Sequence, residues 1–221
     1  MLTFMRKHAK FFYVFFFLII ISFVFFYVGP VDQNGPSALI EVKKERVSIE
    51  EFWRAYDNMR SFYRDIYKDK FTAEMEKQLN LKDRILSELV SAKVLFVAAR
   101  EMGLSVSDKE LMDSIVNDPT FQRDGKFRQD IYLNALKLSR MTPGYYEEKK
   151  REELLVRKMR TIVESSVIVP DEEIPQIQGN DALQKTLRES IINSKKAQAV
   201  QAYVEAMKMK YGVAVRAELI S

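Results

Sequence analysis

The chain opens on an apolar block and then settles into helical periodicity. Residues 11–28, FFYVFFFLIIISFVFFYV, are 18 consecutive positions without a charge, and only Tyr13, Ser22 and Tyr27 bring polar side-chain atoms. As a helix this run is about 27 Å long, just enough to span a hydrocarbon core. The stretch VDQNGPS at 31–37 reads as a linker. Ala38-Leu39-Ile40-Glu41-Val42 then predicts a short strand, with Arg46-Val47 placed to pair back across Lys43-Lys44-Glu45.

Helices dominate the remainder of the chain. Ser48 with Glu51 makes a capping box, and Phe52, Tyr56, Met59, Tyr63 and Ile66 carry a helix to about Asp69. Thr72 caps a second helical stretch. Leu79, Leu81, Ile85, Leu86, Leu89, Val90, Leu95 and Phe96 then form a long, strongly apolar helix that Gly103 ends. Ser107 with Glu110 is a second capping box, for a short helix that stops before Asp118-Pro119. A loop over 117–127 is expected to turn tightly at Asp124-Gly125, with Phe121 and Phe127 pinning it to the core. A helix from about Arg128 carries Ile131, Tyr132, Ala135, Leu136 and Leu138, and Thr142-Pro143 opens another to about Ser165. Residues 167–169 are extended and Pro170 breaks them. The segment 171–181 is polar and turn-rich. From Ala182 to about Tyr211 the pattern is one long helix, ended by Gly212, and the alternation over 213–219 predicts a strand. A lone strand is unstable, so the strands at the two ends of this region are expected to pair.

Charge sharpens the reading of the apolar block. Arg6, Lys7 and Lys10 precede it and no acid does, so its N-terminal side is expected in the cytoplasm and everything after Gly29-Pro30 outside. A cleaved signal peptide is the competing reading, but the run ends without an A-x-A pattern. Those three basic residues also account for most of the net charge of +4: the other 32 basic residues face 31 acids. The exported part is thus near neutral, and a pI near 9 says little about nucleic acid. The chain has no Cys, which excludes disulfides, thiolate zinc sites and Cys nucleophiles, and fits an oxidising compartment. Its one His, His8, stands among the basic residues before the apolar run, so no His triad is available.

Few residues suggest catalysis. Glu147-Glu148 and Glu152-Glu153 lie on a helix rich in Lys and Arg, where Glu147 with Arg151 and Glu153 with Arg157 have the favourable i,i+4 spacing. A solvated ion-paired face is the better reading. Asp171-Glu172-Glu173 is placed as acids at a helix N-terminus are. Aligning Gly125 to a calcium loop puts Ile131 at the closing glutamate, so that reading fails. No metal or other cofactor is expected.

The helix over 48–69 is the informative one. At about 100° per residue, Phe52, Tyr56, Met59, Tyr63, Ile66 and Tyr67 share an ordinary core stripe. Trp53 falls to one side and Phe62 to the other, so nearly half of the helix surface is apolar. That is more than one packing face requires, and surplus aromatics suit adaptable binding of apolar peptide. The alternative is that a second helix covers the flanks. Trp53, Tyr56, Phe62, Tyr63 and Tyr67 are the candidate client-binding residues.

Taken in order, the basic tail and apolar run, the strand ALIEV before SIEEFWRAY, the helix LKDRILSELVSAKVLFVAAREMGLSVSDKEL, then DPTFQRDGKF and MTPGYYEEKKREELLVRKM, resemble the N-terminal domain of the SurA/PpiD family of periplasmic chaperones. KKAQAVQAYVEAMKMKYGVAVRAEL resembles the segment that returns to complete that domain. The resemblance implies a cytoplasmic tail and single-pass anchor at 1–30, a linker at 31–37 and a mostly α chaperone domain at 38–170. A short linker follows at 171–181, where relatives carry a parvulin domain, and 182–221 completes the fold. A small two-strand element would join its ends. Residues 31–221 hold no His, and 171–181 is too short for a parvulin domain, so isomerase activity is not expected. The implied function is an ATP-independent holdase or folding factor, anchored in the bacterial inner membrane. Its partners would be unfolded or nascent exported and outer-membrane proteins, the protein translocon and membrane lipid, not nucleic acid. A structural or assembly subunit of an inner-membrane complex is the alternative, and a peptidyl-prolyl isomerase by family label is the third.

Overall fold

Two short strands open the described fold. β1 (Ile40–Val42) and β2 (Glu45–Val47) form an antiparallel hairpin that turns at Lys43, whose φ is +55°. The computed structural model describes residues 38–176 and 181–220. Residues 1–37, with the apolar run at 11–28, the linker and Arg6, Lys7 and Lys10, lie outside the described residues. Among the described residues no helix is long and apolar enough to cross a membrane.

The helices follow as α1 (Ile49–Tyr67), α2 (Ala73–Gln78), α3 (Leu81–Glu101), α4 (Asp108–Val116), α5 (Gln129–Leu138), α6 (Pro143–Ser165) and α7 (Asp181–Tyr211). Both capping boxes form: Ser48 with Glu51 on α1 and Ser107 with Glu110 on α4. Thr142 caps α6, with Pro143 at its first position. The expected turn at Asp124-Gly125, with φ of +54° and +71°, joins β3 (Gln122–Arg123) to β4 (Lys126–Phe127).

The chain breaks at Asn80, which the sequence pattern passes over. Asn80 is left-handed, with φ of +46°, and separates α2 from α3. Leu79 therefore ends α2 rather than opening the long helix. The break frees Leu81 and Ile85 to enter the core while α2 folds back beneath α1.

α3 is the central element. Every residue from Lys93 to Ala99 is buried, because α1, α6, α7 and the hairpin surround it. The main core joins Leu39, Ile40 and Phe52 to α3, to Met159 and Val163 of α6, and to Val200 and Val204 of α7. A second core gathers Leu111, Ile115, Phe121, Tyr132, Leu136 and Leu154. α6 contributes to both.

β1 pairs antiparallel with β5 (Ala214–Val215), so the two ends of the domain meet as the alternation implies. Two details differ from the expectation. The sheet has three strands, in the order β2-β1-β5. The last strand is also shorter than 213–219: after Arg216 donates its N–H to the Leu39 carbonyl at 2.9 Å, the chain turns into a 3₁₀ helix, Ala217–Ile220. β1 is only three residues long and has no more ladder to offer. The turn instead buries Ile220, whose carbonyl accepts from Lys82 at 2.6 Å.

Candidate functional site: an open aromatic ridge and a charged groove

α1 is anchored at one end and open at the other. At its start Phe52 is fully buried, and the Glu51 carboxylate accepts both from the Ser48 N–H at 3.1 Å and from Lys149 of α6 at 2.7 Å. Burial alone would raise the Glu51 pKa, but the Lys149 and Ser48 hydrogen bonds outweigh it and hold it below the usual glutamate value. Towards its other end every residue from Arg64 to Lys70 is exposed.

The five candidate residues divide accordingly. Tyr56 and Tyr63 are half-buried and pack against the main core. The Tyr56 hydroxyl donates to Glu76 of α2, and burial together with that carboxylate pushes its pKa up to about 12. Trp53 meets Phe52 and Tyr56 edge to face, with ring centroids 5.2 and 5.4 Å away, and the Lys82 ammonium lies 5.4 Å over its indole. One flank of α1 is thus partly covered, by the start of α3.

The other flank is not. Phe62 is 59% exposed and Ile66 55%, while Tyr67, round towards Trp53, is 37% exposed, as Trp53 itself is. Periodicity places Ile66 in the core stripe, yet it lies outside because α1 outlasts its support: Arg84, in the first turn of α3, already reaches the Tyr63 hydroxyl at 3.2 Å. Tyr63, Tyr67 and Phe71 stack face to face with centroids 6.1 and 6.4 Å from Tyr63, and Phe62 meets Tyr63 edge-on at 5.8 Å. These rings brace one another and leave an apolar ridge towards solvent.

Between Tyr56 of α1 and the α2–α3 corner is an open pocket of about 440 Å³ lined by Tyr56, Glu76, Asn80 and Leu81. On the far side of α1, a groove of about 280 Å³ runs between β2, α3 and α6. Its wall carries Lys93, only 8% exposed, 3.5 Å from Glu152 and 5.1 Å over the Phe96 ring. Glu152 also lies 3.5 Å from Lys149. Reading periodicity along the chain misses this group; its signal is the single charge inside VSAKVLFVAA, where a solvent-facing lysine has no face to occupy.

Further ion pairs link neighbouring helices or run along a single one. Arg151 pairs with Asp108 of α4 at 2.6 Å and Lys158 with Glu110 at 2.6 Å, while Glu153 pairs with Lys150 at 3.0 Å. In place of the i,i+4 pairs expected along α6, Arg151 bridges to Asp108 of α4 and Glu153 pairs with Lys150 on α6 itself. Asp171 and Glu173 likewise pair with Arg188 and Lys195 of α7. Among the described residues no cluster of three or more His, Cys, Asp or Glu side chains is arranged to hold a metal ion.

Comparison with known proteins agrees with this layout. The family model for the SurA-like N-terminal domain matches residues 1–160. The periplasmic chaperone PpiD of Escherichia coli (strain K12) is 26% identical over 192 residues, covering 85% of this chain and 31% of that protein. The periplasmic chaperone PpiD of Haemophilus ducreyi is 26% identical over 171 residues, covering 75% of this chain and 27% of that protein. The chain thus spans between a quarter and a third of the length of these relatives. No solved structure gives a significant match. With β1 through most of α6 inside the matched region, the chain belongs to the SurA-like N-terminal domain family, the chaperone N-terminal domain of the SurA/PpiD proteins.

Proposed function

We propose that this protein is an ATP-independent chaperone that holds unfolded exported polypeptides on the periplasmic face of the inner membrane. The observation that carries the reading is the ridge of Phe62, Ile66 and Tyr67: large apolar side chains left open on a helix whose other end is clamped. A half-exposed apolar surface binds unfolded segments reversibly without a nucleotide, because the burial is large enough to hold them and small enough to release them. The names of the PpiD relatives support the periplasmic setting. The uncharged run at 11–28, with Arg6, Lys7 and Lys10 before it, supports a single-pass anchor with its N-terminus in the cytoplasm. Anchoring raises the local concentration of the ridge near emerging chains, so weak intrinsic affinity suffices.

The test is aggregation of an unfolded outer-membrane protein with and without stoichiometric full-length protein in nanodiscs, lacking ATP. Suppression is the expected result. Folded protein that leaves aggregation unchanged would overturn the reading and favour one fixed assembly partner.

A further inference from the structure

We infer that the groove between β2, α3 and α6 is a second client subsite, which takes one apolar side chain of an extended polypeptide and holds its backbone along a row of alternating charges. This rests on the chaperone reading and adds a site away from the aromatic ridge. The floor of the groove is apolar: Val47, Leu89, Ala92, Phe96 and Val156. Its volume, about 280 Å³, falls just short of the roughly 300–1,000 Å³ of small-molecule pockets, so it suits a side chain better than a cofactor.

The rim supplies the polar match. Lys93, Glu152, Lys149 and Glu51 follow one another as donor, acceptor, donor, acceptor, with successive separations of 3.5, 3.5 and 2.7 Å. An extended backbone offers the complementary alternation of C=O and N–H. Both ammonium groups lie 3.5 Å from the same Glu152 oxygen. They share that acceptor, so both can face one segment of extended backbone.

Donor capacity remains. Each ammonium has three N–H groups, and the Lys93 ammonium has Glu152 alone as a carboxylate partner, at the long distance of 3.5 Å. A buried charge held so loosely is costly, and a backbone carbonyl arriving in the groove would complete its coordination. With Glu153, which pairs with Lys150, the lining carries two ammonium and three carboxylate groups, which disfavours an anionic ligand.

The test uses full-length protein and two fluorescent, end-capped peptides, one alternating Leu and Thr, the other Ala and Thr. Binding of the Leu peptide at least tenfold tighter than the Ala peptide is expected. Ala92→Leu, which fills the groove from its floor, should weaken the Leu peptide about tenfold at unchanged Tm. Phe62→Ala/Ile66→Ala leaves the groove intact and should keep the Leu-over-Ala preference. Methyl NMR of the wild type adds a readout free of folding effects: the Leu89 and Val156 signals should shift on titration with the Leu peptide. Wild-type binding that leaves those methyls unmoved, or that survives Ala92→Leu in folded protein, overturns the groove and spares the ridge. Failure of the wild type to bind either peptide overturns both.

Discussion

Truncating Phe62 and Ile66 to Ala should separate client binding from folding. Full burial of a Phe or Ile side chain contributes about 1.5–3 kcal/mol. Phe62 and Ile66 are 59% and 55% exposed, so somewhat over half of that is still to be gained when a client covers them. Together they should supply about 2–3 kcal/mol of client binding, or roughly a 30- to 150-fold change in affinity. The folded chain already uses the smaller share, about 1.3–2.6 kcal/mol, so Tm should fall by about 3–10 °C for a domain of this size. Phe52→Ala is the contrast. Phe52 is fully buried, and its truncation should cost about 3–5 kcal/mol of stability. The assay pairs fluorescence anisotropy of a labelled unfolded exported protein with thermal melts by circular dichroism. Unchanged affinity in the Phe62→Ala/Ile66→Ala variant would refute the reasoning. So would a fall in Tm as large as that of Phe52→Ala, since the ridge would then be structural.

Three further outcomes are expected. Lys158, then the Ser107 N–H and hydroxyl, hold the Glu110 carboxyl down to about 2. A depressed pKa stabilises the fold above the unfolded value of about 4.3 and stops doing so as pH falls through the folded value, so the urea midpoint should drop between about pH 4.5 and 2. Glu110→Gln should be less stable at pH 7 and show a flatter acid limb; an unaltered profile would mean that the α4–α6 bridge contributes nothing. The Tyr132 hydroxyl is buried in the second core without a hydrogen-bond partner, so Tyr132→Phe should raise stability by about 1 kcal/mol in urea melts, and a loss of that size would point to a bound water. Asn80→Val should destabilise by about 1–2 kcal/mol because a β-branched residue resists φ of +46°, whereas Asn80→Gly should change little.

Local signals are legible where one residue type decides one geometry. Ser48–Glu51, Ser107–Glu110, Thr142-Pro143 and Gly103 mark helix ends whatever the fold, since they satisfy backbone groups within a few positions. Asn80 is not legible, because Asn is tolerated in helices and only its tertiary setting makes it left-handed. Nor is the end of the last strand: Val215, Ala217 and Leu219 alternate as a strand does, but ladder length is set by β1, about 175 residues earlier. The surplus of aromatics on α1 is readable from spacing alone. Which flank stays open depends on where α3 begins, and periodicity within α1 carries no record of that. The Lys93 group combines residues from three helices, so no single window contains it.

The pairing of β1 with β5 dictates a schedule for folding. The chain is made from its N-terminal side, so Leu39, Ile40 and Val42 are present long before Ala214 and Ile220 arrive to complete their surroundings. During that interval β1 has β2 and α3 beside it, but neither β5 nor α7. The second core, by contrast, draws on residues 111–154 and closes over short sequence separations. Early closure of that region, followed by a slow step that waits for α7 and β5, is the order such connectivity favours. A domain built this way passes through an aggregation-prone stage of its own, with an unpaired strand edge and an unfilled core, before its last helix and strand close it.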